Sequence, residues 1–104
     1  MERIAFKMKL LKGYETEYQK RHDDIWPELS ELLTETGISD YSIFLDSAEC
    51  TLFAVLKIND RNLLDNLPQQ PIMQKWWAYM GDIMETEASN APISIPLKEV
   101  FYLP

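Results

Sequence analysis

A chain of 104 residues with 46% hydrophobic and 26% charged side chains has the make-up of one globular domain, residues 1–104, built around one modest core. Its net charge of −7 argues against nucleic acid, whose phosphates need clustered Lys and Arg, and against anionic membrane surfaces, while a neutral small molecule fits it. Cys50 is the only cysteine, so no intrachain disulfide can form, and a cytoplasmic location is expected. Glu2 and the lysines interrupting the first apolar stretch do not read as a signal peptide. No apolar run approaches the ~20 residues of a membrane span.

In chain order, Arg3 to Leu10 alternates, with Ile4, Phe6, Met8 and Leu10 on one face and Lys7 and Lys9 on the other, which predicts a half-buried strand. Lys12-Gly13 is a turn. Tyr14 to Thr36 has helical spacing, with Tyr14, Tyr18 and His22 on one face and a stripe of Ile25, Leu29, Leu32 and Leu33 after it. Pro27 lacks the backbone N–H and clashes with the preceding turn, so two helical pieces are expected. The first ends near His22, and the second starts with Pro27 at its first position and stops at Gly37. Tyr41 to Asp46 reads as a strand with Tyr41, Ile43 and Leu45 on one face. Thr51 to Ile58 reads as the next, after a short hairpin loop. Asp60 caps a short helix through Leu67, and Pro68 and Pro71 bound it. Ile72 to Met84 is a second main helix, with Met73, Trp76, Trp77, Met80, Ile83 and Met84 on a broad apolar face. A polar loop leads to a last strand, Leu97 to Leu103. The order β-α-β-β-α-β predicts an α+β, ferredoxin-like sandwich with helices on one face of an antiparallel sheet. Its bare face is most simply covered by a second copy of the chain, giving a homodimer.

His22 is the only histidine and the one side chain suited to proton exchange near neutral pH. Asp23 and Asp24 follow it, and a nearby carboxylate favours the imidazolium, a competent general acid. Trp76 and Trp77 point about 100° apart, so one can pack in the core while the other faces a cavity, where an indole suits the flat C–H face of a sugar. The hydroxyls of Tyr18, Tyr41 and Tyr79 suit sugar hydroxyls. Each of these residues has a plain alternative: a hydrogen-bonded core histidine, tryptophans that only pack, half-buried tyrosines. One His and one Cys do not make a zinc set. The chain has three glycines and no phosphate loop, no G-x-S-x-G elbow, and no singled-out carboxylate pair. Proton transfer on a small ligand, without a cofactor, is what remains.

Four segments carry a resemblance that spans the chain: Glu17-Tyr18-Gln19-Lys20-Arg21-His22 with Ile25-Trp26-Pro27-Glu28-Leu29; Tyr41-Ser42-Ile43-Phe44-Leu45-Asp46; Trp76-Trp77-Ala78-Tyr79-Met80; and Glu99-Val100-Phe101-Tyr102-Leu103-Pro104. Together they resemble the L-rhamnose mutarotases. The resemblance implies a dimeric α+β barrel, no cofactor, and interconversion of the α and β anomers of L-rhamnose in carbohydrate metabolism. It places the proton donor at His22 and sugar contacts at Tyr18, Tyr41, Trp76 and Trp77. Asp23-Asp24 stands where the family has Asn-Pro, Lys20-Arg21 replaces an Arg pair, and Phe44 replaces a common Tyr; none falls on those five positions. Two other readings use the same features. A haem-binding monooxygenase of similar fold would need His22 as axial ligand, and a non-catalytic sugar-binding module would bind without turnover.

Overall fold

The computed structural model describes all 104 residues. The elements follow in the order β1 (Glu2–Lys9), α1 (Glu15–Asp23), α2 (Pro27–Glu35), β2 (Ile38–Asp46), β3 (Thr51–Ile58), a 3-10 segment (Arg61–Gln69), α3 (Pro71–Met80) and β4 (Ile95–Leu97). The strands make one antiparallel sheet in the order β2-β3-β1-β4. This is the ferredoxin-like arrangement the element order predicts, with β3 inserted between β1 and β2.

The helices cover one face of the sheet. Phe6 and Met8 of β1 lie opposite Ala54 and Leu52 of β3, and Ile43 and Leu45 of β2 continue the layer. They pack with Tyr18, Leu29, Trp76, Met80 and Ile83 in the main core, and Ile38, Leu56 and Ile58 form a smaller cluster beside it. Burying each of the larger aliphatic side chains stabilises the fold by about 1.5–3 kcal/mol relative to leaving it in water. The opposite face carries Lys7, Lys9, Phe44 and Phe53 and has no covering layer within this chain.

The break at Pro27 falls where the sequence puts it. Trp26, before the proline, is extended (φ −60°, ψ 130°), and Pro27 opens α2. The chain leaves α2 through Gly37 at φ +96°, a left-handed conformation that a Cβ would strain. In β2 a bulge lies between Ser39 and Ser42, so Asp40 and Tyr41 together stand opposite Leu56. The extra residue is Asp40 at φ +47°. It resets the alternation: Ile38 and Tyr41 are three apart, yet both face the helices. Asp40 itself turns to Lys57 on the other face, Oδ2 to Nζ 3.1 Å.

Three elements differ from expectation. The segment after Asp60 is 3-10 rather than α-helical; the Asp60 carboxylate does cap it, accepting the Asn62 N–H at 3.0 Å. Helix α3 stops at Met80 instead of Met84. Past Gly81 the chain pairs with the end of β1: Leu11 N–H donates to the Ile83 carbonyl (2.8 Å) and Met84 bridges Leu10. Ile83 and Met84 are buried by that pairing, so their apolar spacing imitates a helix. The last strand is Ile95–Leu97, not Leu97–Leu103. Its register on β1 (Lys7↔Ile95, Ala5↔Leu97) would bring Glu99 opposite Arg3, and there the pairing survives only as a side-chain contact of 2.6 Å. Val100, Phe101 and Leu103 are exposed.

Asp40→Gly should leave stability unchanged or slightly higher, since glycine takes positive φ freely, whereas Asp40→Val should cost about 1–2 kcal/mol in urea unfolding. Equal stability of the two variants would show that the left-handed turn is not held in solution.

Candidate active site

A cleft of about 1230 Å³ runs between the helices and the sheet. Tyr18 and His22 enter it from α1, Tyr41 from the bulge of β2, and Trp76 and Trp77 from α3. The five residues singled out in the sequence therefore share one cavity. The first pair meets because four residues is about one helical turn; Tyr41 joins them because of the extra residue in β2. Trp76 is buried and Trp77 half-buried, as their 100° offset predicts. Tyr79 is the exception among the candidates: it lies outside the cleft, against Arg21 and Trp26.

The His22 ring is held on three sides. Tyr18 stacks on one face, with centroids 4.3 Å apart and planes 29° from parallel. Trp76 meets it at right angles, centroids 5.4 Å apart. Nδ1 lies 3.1 Å from the Tyr18 carbonyl oxygen, which only accepts, so Nδ1 carries the proton and donates it. In the neutral ring this leaves Nε2 with a free lone pair, a base. Burial lowers the His22 pKa from its ordinary value; the backbone contact to Tyr18 and the charge of Asp23 oppose that only in part. The expectation that the adjacent aspartates make His22 a resting imidazolium is therefore corrected: desolvation by the aromatic walls outweighs the charge of a carboxylate.

Burial acts on the tyrosines in the opposite sense. Tyr41 is pushed up to about 12, and Tyr18 is raised further, by burial and then by Tyr41. Both hydroxyls stay protonated across the physiological range and serve as neutral donors and acceptors. No group of three or more His, Cys, Asp or Glu converges anywhere in the chain, and no helix is long and apolar enough to cross a membrane.

Two supporting aromatics were not among the sequence candidates in this role. Trp26 meets Trp76 edge-on (5.0 Å) and stacks on Tyr79 (5.5 Å, 25°), so it backs the buried indole from outside the cavity. The signal for Tyr79 was its position three residues beyond Trp76, one turn along the same face. For Trp26 there was none, because its contact depends on how α2 meets α3.

The fold and the cleft define a small ferredoxin-like α+β domain with one imidazole set in a cleft lined by aromatic rings and tyrosine hydroxyls. Comparison with known proteins gives the family. The model of the L-rhamnose mutarotase family matches residues 3–103. L-rhamnose mutarotases of Brucella anthropi and Rhizobium meliloti are each 55% identical over 103 residues, which is 99% of this chain and 97% and 99% of theirs. The crystal structure of L-rhamnose mutarotase from Formosa agariphila superposes with a TM-score of 0.93 at 49% identity, covering all of both chains. The chain belongs to the L-rhamnose mutarotase family and is an enzyme of the isomerase kind.

As the only histidine, His22 gives an unambiguous NMR titration, whose midpoint should fall below the ~6.5 of an unperturbed imidazole. Between the two values the unfolded chain binds more protons than the folded one, so folding stability should fall as pH drops from about 6.5 through the folded midpoint, then level off with respect to this group. A midpoint above 6.5 would mean that the aspartates, not burial, set the charge of the ring.

Proposed function

We propose that this chain interconverts the α and β anomers of L-rhamnose, with His22 as the acid–base residue and no cofactor. The observation that carries the reading is the His22 imidazole, tethered at Nδ1 to the Tyr18 carbonyl and facing the cavity between Tyr18 and Trp76. The sequence relatives and the solved mutarotase supply the sugar and the reaction.

Mutarotation needs one bond broken and remade. Nε2 of neutral His22 takes the proton of the anomeric hydroxyl as the bond between the anomeric carbon and the ring oxygen breaks. The ring oxygen gains a proton from solvent or from the hydroxyls of Tyr18 and Tyr41. The open aldehyde turns about its C1–C2 bond. The ring then recloses on the other face: the hydroxyl that becomes the ring oxygen gives its proton back to the group that supplied it, and the imidazolium returns its own to the former carbonyl oxygen. His22 is thus base on opening and proton donor on closing, and the net reaction consumes nothing. A low resting pKa suits this cycle, because the ring must begin uncharged. Acid–base assistance of this kind contributes about 10²–10⁴-fold, and holding the sugar by Tyr18, Tyr41, Trp76 and Trp77 adds to it. Trp77 offers its ring to the C–H face of the sugar; Trp76 sets the angle of the imidazole.

The bare sheet face supports pairing with a second copy. Phe44 and Phe53 lie opposite each other on that face and both are exposed, and Val100, Phe101 and Leu103 after β4 add further exposed apolar surface. The lone cysteine and the neutral sugar fit a cytoplasmic enzyme.

Saturation transfer between the anomeric protons of L-rhamnose should accelerate on adding catalytic protein, and not with L-arabinose or D-glucose. His22→Asn should fold and lose about 10²–10⁴-fold in rate. Full activity of folded His22→Asn would remove the acid–base assignment, and no acceleration with any sugar would leave a binding module. For the assembly, sedimentation should give a dimer that Phe44→Glu converts to monomer; a monomeric parent protein would refute the pairing.

A further inference from the structure

Arg21 is out of reach of the cleft, yet it is held more tightly than any other ion-paired cation of the chain. Its side chain is 10% exposed, against 40% for Arg3, 42% for Lys57 and 64% for Arg61. Nε–H donates to Glu17 Oε2 at 2.7 Å. Nη1 donates to the Tyr79 carbonyl (2.8 Å) and to Asp82 Oδ1 (2.9 Å), while Nη2 reaches Asp82 Oδ2 at 3.3 Å. The guanidinium also lies over the Tyr79 ring, 4.3 Å from its centroid. The Tyr79 carbonyl belongs to the last turn of α3, one of the helix-end acceptors with no partner inside the helix. Arg21 therefore sits on α1 and closes the end of α3.

That position matters because of what each helix carries. His22 and Tyr18 are on α1; Trp76 and Trp77 are on α3. From Arg21 an unbroken series of ring contacts runs inward: Tyr79 on Trp26 (5.5 Å), Trp26 on Trp76 (5.0 Å), Trp76 on His22 (5.4 Å). A half-buried guanidinium is a costly way to join two helices, since the desolvation of its covered part offsets some of what its ion pairs return. Its planar fork does fix geometry in a way that a flexible ammonium does not.

We infer that Arg21 is a positioning residue: by locking α1 to the end of α3 it fixes the separation and angle of the His22 and Trp76 rings and keeps water from the imidazole. The inference rests on the reading of His22 as the acid–base residue. The charged groups that share the cavity with His22 are Asp23 and Glu15 on α1 and Glu87 after α3, beside the neutral hydroxyls of Tyr18 and Tyr41; Asp40 of β2 also borders it, with its carboxylate paired to Lys57 on the other face of the sheet. None of them touches Arg21, so they stay in place when it is changed.

Two variants test this, each with the NMR titration of His22 and steady-state mutarotation. Arg21→Lys keeps the charge and loses the fork. Asp82→Ala removes the exposed half of the clamp, and with it an anion. Positioning predicts that the His22 midpoint rises toward 6.5 in both, as water reaches a loosened ring, and that kcat falls roughly tenfold in Arg21→Lys and roughly threefold in Asp82→Ala, with KM moving less. Charge effects alone predict no shift in the first and a downward shift in the second. An unmoved midpoint and kcat in folded Arg21→Lys, with only Tm lowered, would overturn the inference. If that variant does not fold, Asp82→Ala decides alone, by the sign of its shift. Because the titration needs no turnover, the inference stays testable even if His22→Asn proves active.

Discussion

An imidazole enclosed by aromatic rings is most stable without charge, and much of this small structure can be understood from that one condition. Tyr18 covers a face of His22, Trp76 closes its edge, and the backbone of Tyr18 fixes which nitrogen holds the proton. The result is a ring with one tautomer, one orientation and a low proton affinity. In the proposed cycle such a ring gives its proton back readily, because no counter-ion holds the cation. A carboxylate hydrogen-bonded to the imidazole would have stabilised the cation and slowed the return step.

The architecture is arranged to supply those walls. Four antiparallel strands give a platform, and the break at Pro27 lets α1 leave the direction of α2, so the first helix can bring Tyr18 and His22 to the cleft while the second fills the core with Leu29. The third helix arrives after the 3-10 segment and lays Trp76 between His22 and Trp26. Shape here comes from two kinds of element. Aliphatic residues of the sheet give bulk burial, and the aromatic residues of the helices give angles.

What the sequence reveals and what it hides divide along the same line. Features decided by neighbours in the chain are legible: the alternation in β1, the proline that splits the helices, the glycine that ends α2, and the shared face of Tyr18 and His22. The offset of Trp76 and Trp77 follows from helix geometry alone. Features decided across elements are not. Asp23 is adjacent in sequence and suggests a raised histidine pKa, but burial among residues distant in the chain, with Trp76 against the ring, lowers it. Ile83 and Met84 keep helical spacing and are instead buried by pairing with the end of β1. The run Val100-Phe101-Tyr102-Leu103 is rich in strand-forming residues, yet the ladder on β1 ends before it. Arg21 reads as an ordinary surface charge until Asp82 and the end of α3 are placed beside it.

The two edges of the sheet have little in common except what they prevent. At β2 the extra residue Asp40 twists the strand and puts a carboxylate beside the outer edge; at β4 the strand is three residues long and contains Pro96, which has no N–H to offer. Neither edge presents a long flat row of free amides to another molecule. A chain with this much exposed apolar surface would otherwise offer a template for cross-β pairing, and the bulge and the proline obstruct that pairing at the two edges whatever its net charge.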